Sequence, residues 1–352
     1  MKNLCVPLER IALPGAAALV MLVFAALVTG CTVLPGLAVP TNTLTPSPTC
    51  TSTPTPMPTA TPTSTPTATP TLTPTPVPLS ITVGIEPSTV PVGQIGTLFI
   101  DTSRPATVTA SLRGEPLPLF AENGRLYALI GVHASTEPTT WPLVITATDP
   151  LGGPPITERR ELRIAGREFK IDAITLTQET LNLILDAEAV RNEAELIARL
   201  LAPRTATRLW RGAFAQPVAG EITTTYGERR SYNGGPAVEY HGGLDIAADA
   251  GVPVAAANAG RVVFAGPLKV RGNVVIIDHG WGLYSGYYHL SEIKASAGQS
   301  VECGQTIGLV GSTGLSTGPH LHWVIWLGGR EVDPAFILLW QLPHRDQQPE
   351  TT

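Results

Sequence analysis

Charge is missing from a long N-terminal stretch: no Asp, Glu, Lys or Arg occurs from Ile11 to Pro78 of the 352 residues. A segment with no charge and few large apolar side chains cannot build a packed core, so the globular part is sought after it. Cysteine is scarce too. Four in the whole chain exclude a fold stapled by a disulfide framework. Excess positive charge is also lacking: the formal net charge is −5, which excludes a nucleic-acid binder working through a basic surface. Setting aside Lys2, Glu9 and Arg10, the rest of the chain has 21 basic and 27 acidic residues, an ordinary globular balance. The length fits about two domains once the non-globular start is removed.

What the N-terminus contains is an export pattern. Lys2 and Arg10 precede an apolar run from Ile11 to Val28, broken by Pro14 and Gly15 and closed by Val28-Thr29-Gly30-Cys31. The run is near the lower limit of the ~17–25 residues that a span needs, so a signal peptide over 1–30 is expected rather than a retained helix. Val-Thr-Gly-Cys resembles the bacterial lipobox, which implies acylation of Cys31 and attachment to the outer face of a membrane. Residues 41–78 then hold 16 Thr and 11 Pro among 38 residues. Repeated Thr-Pro favours extended polyproline II, a spacer with a reach of at most roughly 120 Å at ~3.1 Å per residue. The linker is taken as 31–78. Cys50 falls within it, so a disulfide to Cys303 is not expected.

Short apolar, β-branched runs separated by turn residues occupy 79–168: Ser80–Ile85, Gly96–Asp101, Ala106–Leu112, Arg125–Gly131, Pro142–Ala147 and Glu158–Ile164. That spacing predicts a small antiparallel, Ig-like β-sandwich serving as an accessory domain. Its single His133 has no ligand-type companion and reads as structural. Residues 169–211 read as a helical connector, with Leu181, Ile184, Leu185, Ala189, Leu196, Ile197, Leu200 and Leu201 at helical spacing.

Residues 212–340 carry the chemistry. Gly-rich turns alternate with strand-like runs too closely spaced for crossover helices, which predicts an antiparallel β-sheet domain; 341–352 is a polar tail. Five of the seven histidines lie from His241 to His322. In His320-Leu321-His322, side chains two apart on a strand project to one face. In His241-Gly242-Gly243-Leu244-Asp245, the glycines leave room for a turn that joins His241 and Asp245. Two imidazoles and a carboxylate suit one Zn²⁺ with a position left for water. Alone, each motif is common; together, with His289 after an aromatic strand, they favour a metal site over a sugar-binding β-domain.

The stretch from Tyr240 to Ala248 followed by Gly251-Val252-Pro253-Val254, then Asp278-His279-Gly280, Tyr288-His289-Leu290-Ser291, Gly304-Gln305 and Gly311 to Trp323, resembles the lysostaphin/LytM-type zinc metallopeptidases over about 212–340. Residues 79–211 resemble, more loosely, the β-domain and connector that precede some of these catalytic domains. The resemblance implies an antiparallel β-sheet catalytic domain with a zinc-containing groove, His241, Asp245 and His322 as zinc ligands, and His289 and His320 as catalytic histidines. His279 is expected as a turn residue and His344 as a solvated one. Cys303 receives no role. Arg229, Arg230 and Asn233 are expected to line the groove. The function implied is a metalloendopeptidase that cuts peptide cross-links of peptidoglycan in the cell envelope with an activated water, held by a lipid anchor and free of nucleic acid. Two alternatives stand beside it: a cell-wall-binding or amidase-activating module without catalysis, and a lysin attacking other cells. A regulatory partner that lifts the first β-domain off the groove is a further expectation.

Overall fold

The computed structural model describes residues 77–343. The leader with Cys31, the Thr/Pro spacer and His344 lie outside the described residues. Within them the fold is mainly β. The first β region is two sheets. One orders Ile81–Glu86, Ile95–Thr102, Arg125–Gly131 and Phe120–Glu122. The other orders Thr89–Pro91, Ile156–Ala165, Thr139–Thr148, Thr107–Leu112 and Glu115–Leu117. Strand alternation sorts their side chains. Leu98, Ile100 and Ala128 of the first sheet meet Ala110, Leu143 and Ile145 of the second. Phe99, Tyr127 and Leu129, one residue out of phase, point the other way.

That other way is into the second β region. Phe99, Phe120, Tyr127 and Leu129 share one core with Trp210, Trp281, Leu283 and Ile325. Phe120 stacks on Trp281 with ring centroids 5.2 Å apart. The two β regions are therefore joined by a common hydrophobic core and not only by a connector.

The central sheet of the second region runs Glu221–Thr224, Leu244–Ala247, His320–Leu327, Leu283–Leu290, Gly272–Gly280, Gly260–Leu268 and Ser300–Val301, with Arg330–Val332 added on His320–Leu327. Every pairing in it is antiparallel. Period-two alternation gives it two different faces. On His320–Leu327, residues Leu321, Trp323, Ile325 and Leu327 face the shared core. Val324 and Trp326 face the opposite side, in a second cluster with Val274, Ile276, Tyr284 and Tyr288. His320 and His322 belong to that second face by the same alternation.

The second face is roofed at one end by a helix. Helix α1 (Gln178–Leu185) is capped by Thr177, whose side chain accepts from the Thr180 N–H. Helix α2 (Ala187–Leu201) is capped by Asp186, which accepts from the Ala189 N–H. Ile197 and Leu201 of α2 pack on Tyr284, Tyr288, Val324 and Trp326. Glu193, buried in the same helix, accepts from the backbone N–H groups of Val270 at 2.7 Å and Arg271 at 3.3 Å and from Arg271 Nη1 at 3.0 Å. A buried carboxylate with three donors is satisfied rather than stranded. No helix among the described residues is long and apolar enough to cross a membrane.

Candidate active site

Antiparallel register assembles the site. Leu244–Ala247 pairs with His320–Leu327 so that Asp245 faces His322 and Ala247 faces His320. On the other flank, Tyr288 of Leu283–Leu290 faces His322. His241 enters from the turn before Leu244. Gly243 in that turn is required by space: a Cβ there would lie 2.5 Å from the Trp323 carbonyl oxygen and 2.9 Å from the His322 ring. The His-Gly-Gly motif therefore lets backbone lie flat against an imidazole.

Three ligand atoms converge. His241 Nε2 lies 3.0 Å from Asp245 Oδ1 and 3.0 Å from His322 Nδ1, and His322 Nδ1 lies 2.6 Å from the same carboxylate oxygen. His320 Nε2 is 3.8 Å from Asp245 Oδ1. His289 faces His320 with ring centroids 4.9 Å apart. All five histidine and aspartate positions expected at the site are thus brought together.

Backbone carbonyls set the tautomers. The Nδ1–H groups of His241, His289 and His320 donate to the carbonyls of Thr225 at 2.9 Å, Thr313 at 2.8 Å and Gly318 at 2.8 Å. A carbonyl only accepts, so each neutral ring keeps its lone pair on Nε2. For His241 that lone pair faces a carboxylate oxygen at 3.0 Å. Acceptor against acceptor is repulsive unless a cation lies between them, and His241, Asp245 and His322 are a group among the described residues that could hold a metal ion. The donor set fits a small divalent cation.

Burial by itself would raise the Asp245 carboxyl, but His322 and His241 outweigh it and hold the group well below the usual carboxylate range. Burial pushes His322 down to about 4 against the pull of Asp245. Burial, with help from His322 and His320, pushes His289 down to about 3. These imidazoles are therefore neutral at pH 7, the form that binds a metal or accepts a proton. His289 also has φ of +61°, the left-handed region that a non-glycine residue seldom occupies. Its N–H donates to the Arg271 carbonyl at 3.2 Å, and its own carbonyl accepts from Thr313 at 3.4 Å. Backbone strain held by such contacts is common where a side chain must be aimed.

Two cavities flank the cluster, about 550 Å³ on one side and about 470 Å³ on the other. Arg230, Tyr232, His289 and Leu315 line both. Of the three residues expected at the groove, Arg230 is there: its Nη2 donates to Asp245 Oδ2 at 3.1 Å. Arg229 turns aside to the Ala237 carbonyl at 2.6 Å, and Asn233 accepts from the Leu176 N–H at 2.8 Å. His279 is not a turn residue. It lies in Gly272–Gly280, fully buried, donating to the Ala259 carbonyl at 2.8 Å with Ser285 Oγ 2.7 Å from its other nitrogen. Cys303 is exposed, and its thiol donates to the Ala257 carbonyl at 3.5 Å. His133, expected to be structural, lines the larger cavity and lies 3.7 Å from Glu331. Its sequence neighbourhood has no motif that signals this, because the contact joins residues nearly two hundred positions apart.

Comparison with known proteins fits the geometry. The sequence model of peptidase family M23 matches residues 239–334. The DD-carboxypeptidase/endopeptidase Mpg of Neisseria meningitidis serogroup B is 43% identical over 99 residues, 28% of this chain and 23% of the relative. The peptidoglycan DD-endopeptidase ShyA of Vibrio cholerae is 40% identical over 112 residues, 32% of this chain and 26% of the relative. The chain thus spans only about a quarter of the length of the curated relatives it matches. A crystal structure from Pseudomonas aeruginosa, of a protein assigned to peptidase M23, superposes with a TM-score of 0.52 at 26% identity, over 71% of this chain and 94% of that one. Coverage of that extent takes in more than the catalytic segment alone.

Proposed function

We propose that this chain, whose residues 239–334 match peptidase family M23, is a zinc metalloendopeptidase that hydrolyses peptide cross-links of bacterial peptidoglycan. The observation that carries the proposal is the convergence of His241, Asp245 and His322, with the Nε2 lone pairs of His289 and His320 beside them. Zinc fits the set: tetrahedral ligands at ~2.0–2.1 Å stand roughly 3.3 Å apart, close to the separations of 2.6 to 3.0 Å. When bound, zinc supplies Lewis-acid polarisation and a water whose pKa falls towards neutrality. The substrate class is drawn from the names of the relatives, and cavities on both sides of the cluster suit a bond inside a longer chain.

His241, Asp245 and His322 would hold the ion. The Thr225 carbonyl orients His241, and Arg230 steadies the outer oxygen of Asp245. His289 and His320 divide the remaining work. One neutral imidazole accepts the proton of the attacking water and delivers it to the leaving amine. The other supports the charge that develops on the carbonyl oxygen. We extend the proposal to location: a lipid on Cys31 and the Thr/Pro spacer would hold the enzyme on the outer face of a membrane, within reach of the cell wall.

The test is incubation of the chain with purified peptidoglycan, with and without a chelator, and identification of the soluble fragments by mass spectrometry. Chelator-sensitive release of cut cross-link peptides is expected. No release from folded, zinc-loaded protein would refute the proposal.

A further inference from the structure

The buried carboxylate of Glu193 neither faces the metal cluster nor moves a proton there. It lies in α2, outside the residues that match the M23 family. Its two oxygens grip one turn, residues 269–271, between the strands Gly260–Leu268 and Gly272–Gly280. One oxygen accepts from the Val270 N–H at 2.7 Å, and the other from the Arg271 N–H at 3.3 Å and Arg271 Nη1 at 3.0 Å. A second tie joins the same helix to the same turn, from Lys269 Nζ to Asp186 at the N-cap.

The other side of the turn holds the active site. The Val270 carbonyl accepts from the Leu315 N–H at 2.6 Å, and the Arg271 carbonyl accepts from the His289 N–H at 3.2 Å. Each of these two residues thus donates to Glu193 and accepts from the neighbourhood of the catalytic imidazole. The Thr313 carbonyl, which takes the His289 ring proton, is pressed against the turn as well: a Cβ on Gly272 would lie 2.3 Å from it. His289 needs this support. Alternation along Leu283–Leu290 puts Tyr287 in the shared core and Tyr288 on the opposite face, which would return His289 to the core. Instead the register with Gly272–Gly280 slips between Asn273 and Val275, and Leu290 takes the core position. Tyr288 and His289 together oppose Val274 in a bulge, and both line the larger cavity. A bulge re-aims a side chain by disrupting the ladder, so the backbone there is held by what packs behind it.

We propose that Glu193 is a positioning residue for His289: through this carboxylate the connector helix sets the 269–271 turn, the turn holds the bulge, and the bulge aims the imidazole. The inference rests on the reading that His289 takes part in peptide hydrolysis. The helix then has a role that its sequence does not announce. It walls the larger cavity through Val190, Ala194 and Ile197, and it fixes a catalytic side chain that belongs to another part of the chain.

The test is Glu193→Gln in the zinc-loaded full-length chain, alone and combined with His289→Ala, with circular dichroism checking the fold. The amide keeps one acceptor oxygen for three donors and turns an NH₂ group on the rest. On a soluble cross-linked muropeptide, kcat should fall about 10- to 100-fold, the scale of a misplaced reacting group, with KM within about threefold and zinc content unchanged. In the His289→Ala background the same substitution should change kcat by less than about twofold, because the residue it positions is gone. Nuclear magnetic resonance of the imidazole nitrogens supplies a readout that needs no activity: the His289 Nδ1–H signal should shift or broaden in Glu193→Gln while that of His241 stays in place. If Glu193→Gln does not fold, Glu193→Asp replaces it with the same expectations, since it keeps the charge but is one methylene too short for the turn. Undiminished kcat in the folded variant, an equal loss with and without His289, zinc lost in step with activity, or an unmoved His289 signal would each overturn the positioning role. A wild-type chain that cuts no cross-linked peptide would overturn the proposed function, and the His289 signal would then decide the inference by itself.

Discussion

His279 offers a test of the fold that does not pass through the metal site. The ring is fully buried, and burial pushes its pKa down from an ordinary 6.5 to about 4. Its Nδ1–H donates to the Ala259 carbonyl at 2.8 Å, so Nε2 accepts from the Ser285 hydroxyl at 2.7 Å, whose oxygen lies 3.0 Å from the Tyr287 hydroxyl. Charging the ring would turn Nε2 into a donor and reverse that chain of bonds. The sign follows from the two pKa values. Between about pH 6.5 and pH 4 the unfolded chain binds this proton and the folded chain does not, so stability falls as pH falls through that window and levels off below it. At ~1.36 kcal/mol per pKa unit the full loss is about 3 kcal/mol. For a chain of this size that corresponds to roughly 6–12 °C in melting temperature. The perturbation is His279→Asn, whose amide can still reach the Ala259 carbonyl and which does not titrate. Thermal unfolding followed by circular dichroism, with a chelator present, compares the two proteins from pH 7.5 to pH 4. The variant is expected to be less stable at neutral pH, with the gap narrowing by about 3 kcal/mol towards pH 4. Titration of His289 and His322 is common to both proteins and cancels. Parallel curves would refute the burial argument.

Other predictions bear on the site. Removing the metal with a chelator should lower the melting temperature, because an ion present at about 100 times its Kd adds about 2.7 kcal/mol; in Asp245→Ala the chelator should make no difference, as differential scanning calorimetry would reveal. His289→Ala should lose about 10²- to 10⁴-fold in kcat while keeping its zinc, measured by atomic absorption; equal loss of zinc would show that the residue binds metal instead. Gly243→Ala should drive a methyl against the His322 ring and the Trp323 carbonyl, weakening zinc affinity by competition titration; unaltered affinity would show that the close approach is not needed. Activity should fall in acid as protons compete with the metal for its ligands, and raising the zinc concentration should shift that acid limb to lower pH.

Much of this was legible in the sequence because it is local. The pattern His-Leu-His commits two rings to one strand face, and the structure keeps them there. The His-Gly-Gly-Leu-Asp spacing encodes a turn and a strand, and the register with His320–Leu327 completes the cluster. The main apolar runs appear as strands because alternation is a short-range signal. The missed strands, such as Thr89–Pro91, Glu115–Leu117 and Phe120–Glu122, have three residues each, too few for a period to register. Long-range facts were hidden. Phe99 and Tyr127 look like residues of a self-contained sandwich, yet they serve the core of the second region. The buried state of His279 depends on packing by Phe214, whose ring lies 5.0 Å away edge-on. The carbonyls that fix the imidazole tautomers belong to Thr225, Thr313 and Gly318, residues whose side chains predict nothing about the role of their backbone.

The shared core also bears on how access to the site can be controlled. A partner that lifted the first β region off the groove would have to uncover Phe99, Phe120 and Tyr127 together with the faces of Trp210 and Trp281 that they cover. Rings of this kind bury ~150–250 Å² each. At ~25 cal/mol per Å², exposing three of them costs on the order of 10 kcal/mol, comparable to the whole stability of a typical domain. The Tyr226 hydroxyl adds polar ties, accepting from the Ala134 N–H at 2.9 Å and donating to the Glu331 carbonyl at 2.9 Å. The second of these bonds fixes the wall that holds Arg330, and the first fixes the loop that holds His133 and Ser135. These two parts of the larger cavity's lining, both opposite α2, are therefore anchored to one buried tyrosine. Regulation by wholesale displacement of the first β region is disfavoured by that accounting, and α2 is the wall with less to lose. It touches the sheet through Ile197 and Leu201, and its ionic tethers are Glu193 to Arg271 and Asp186 to Lys269. Ile197→Ala should therefore loosen the helix at a cost of about 2–4 kcal/mol while the central sheet stays intact. Hydrogen exchange would show it as faster exchange confined to residues 187–201, and exchange spreading into the first β region would refute the assignment of α2 as the weaker wall.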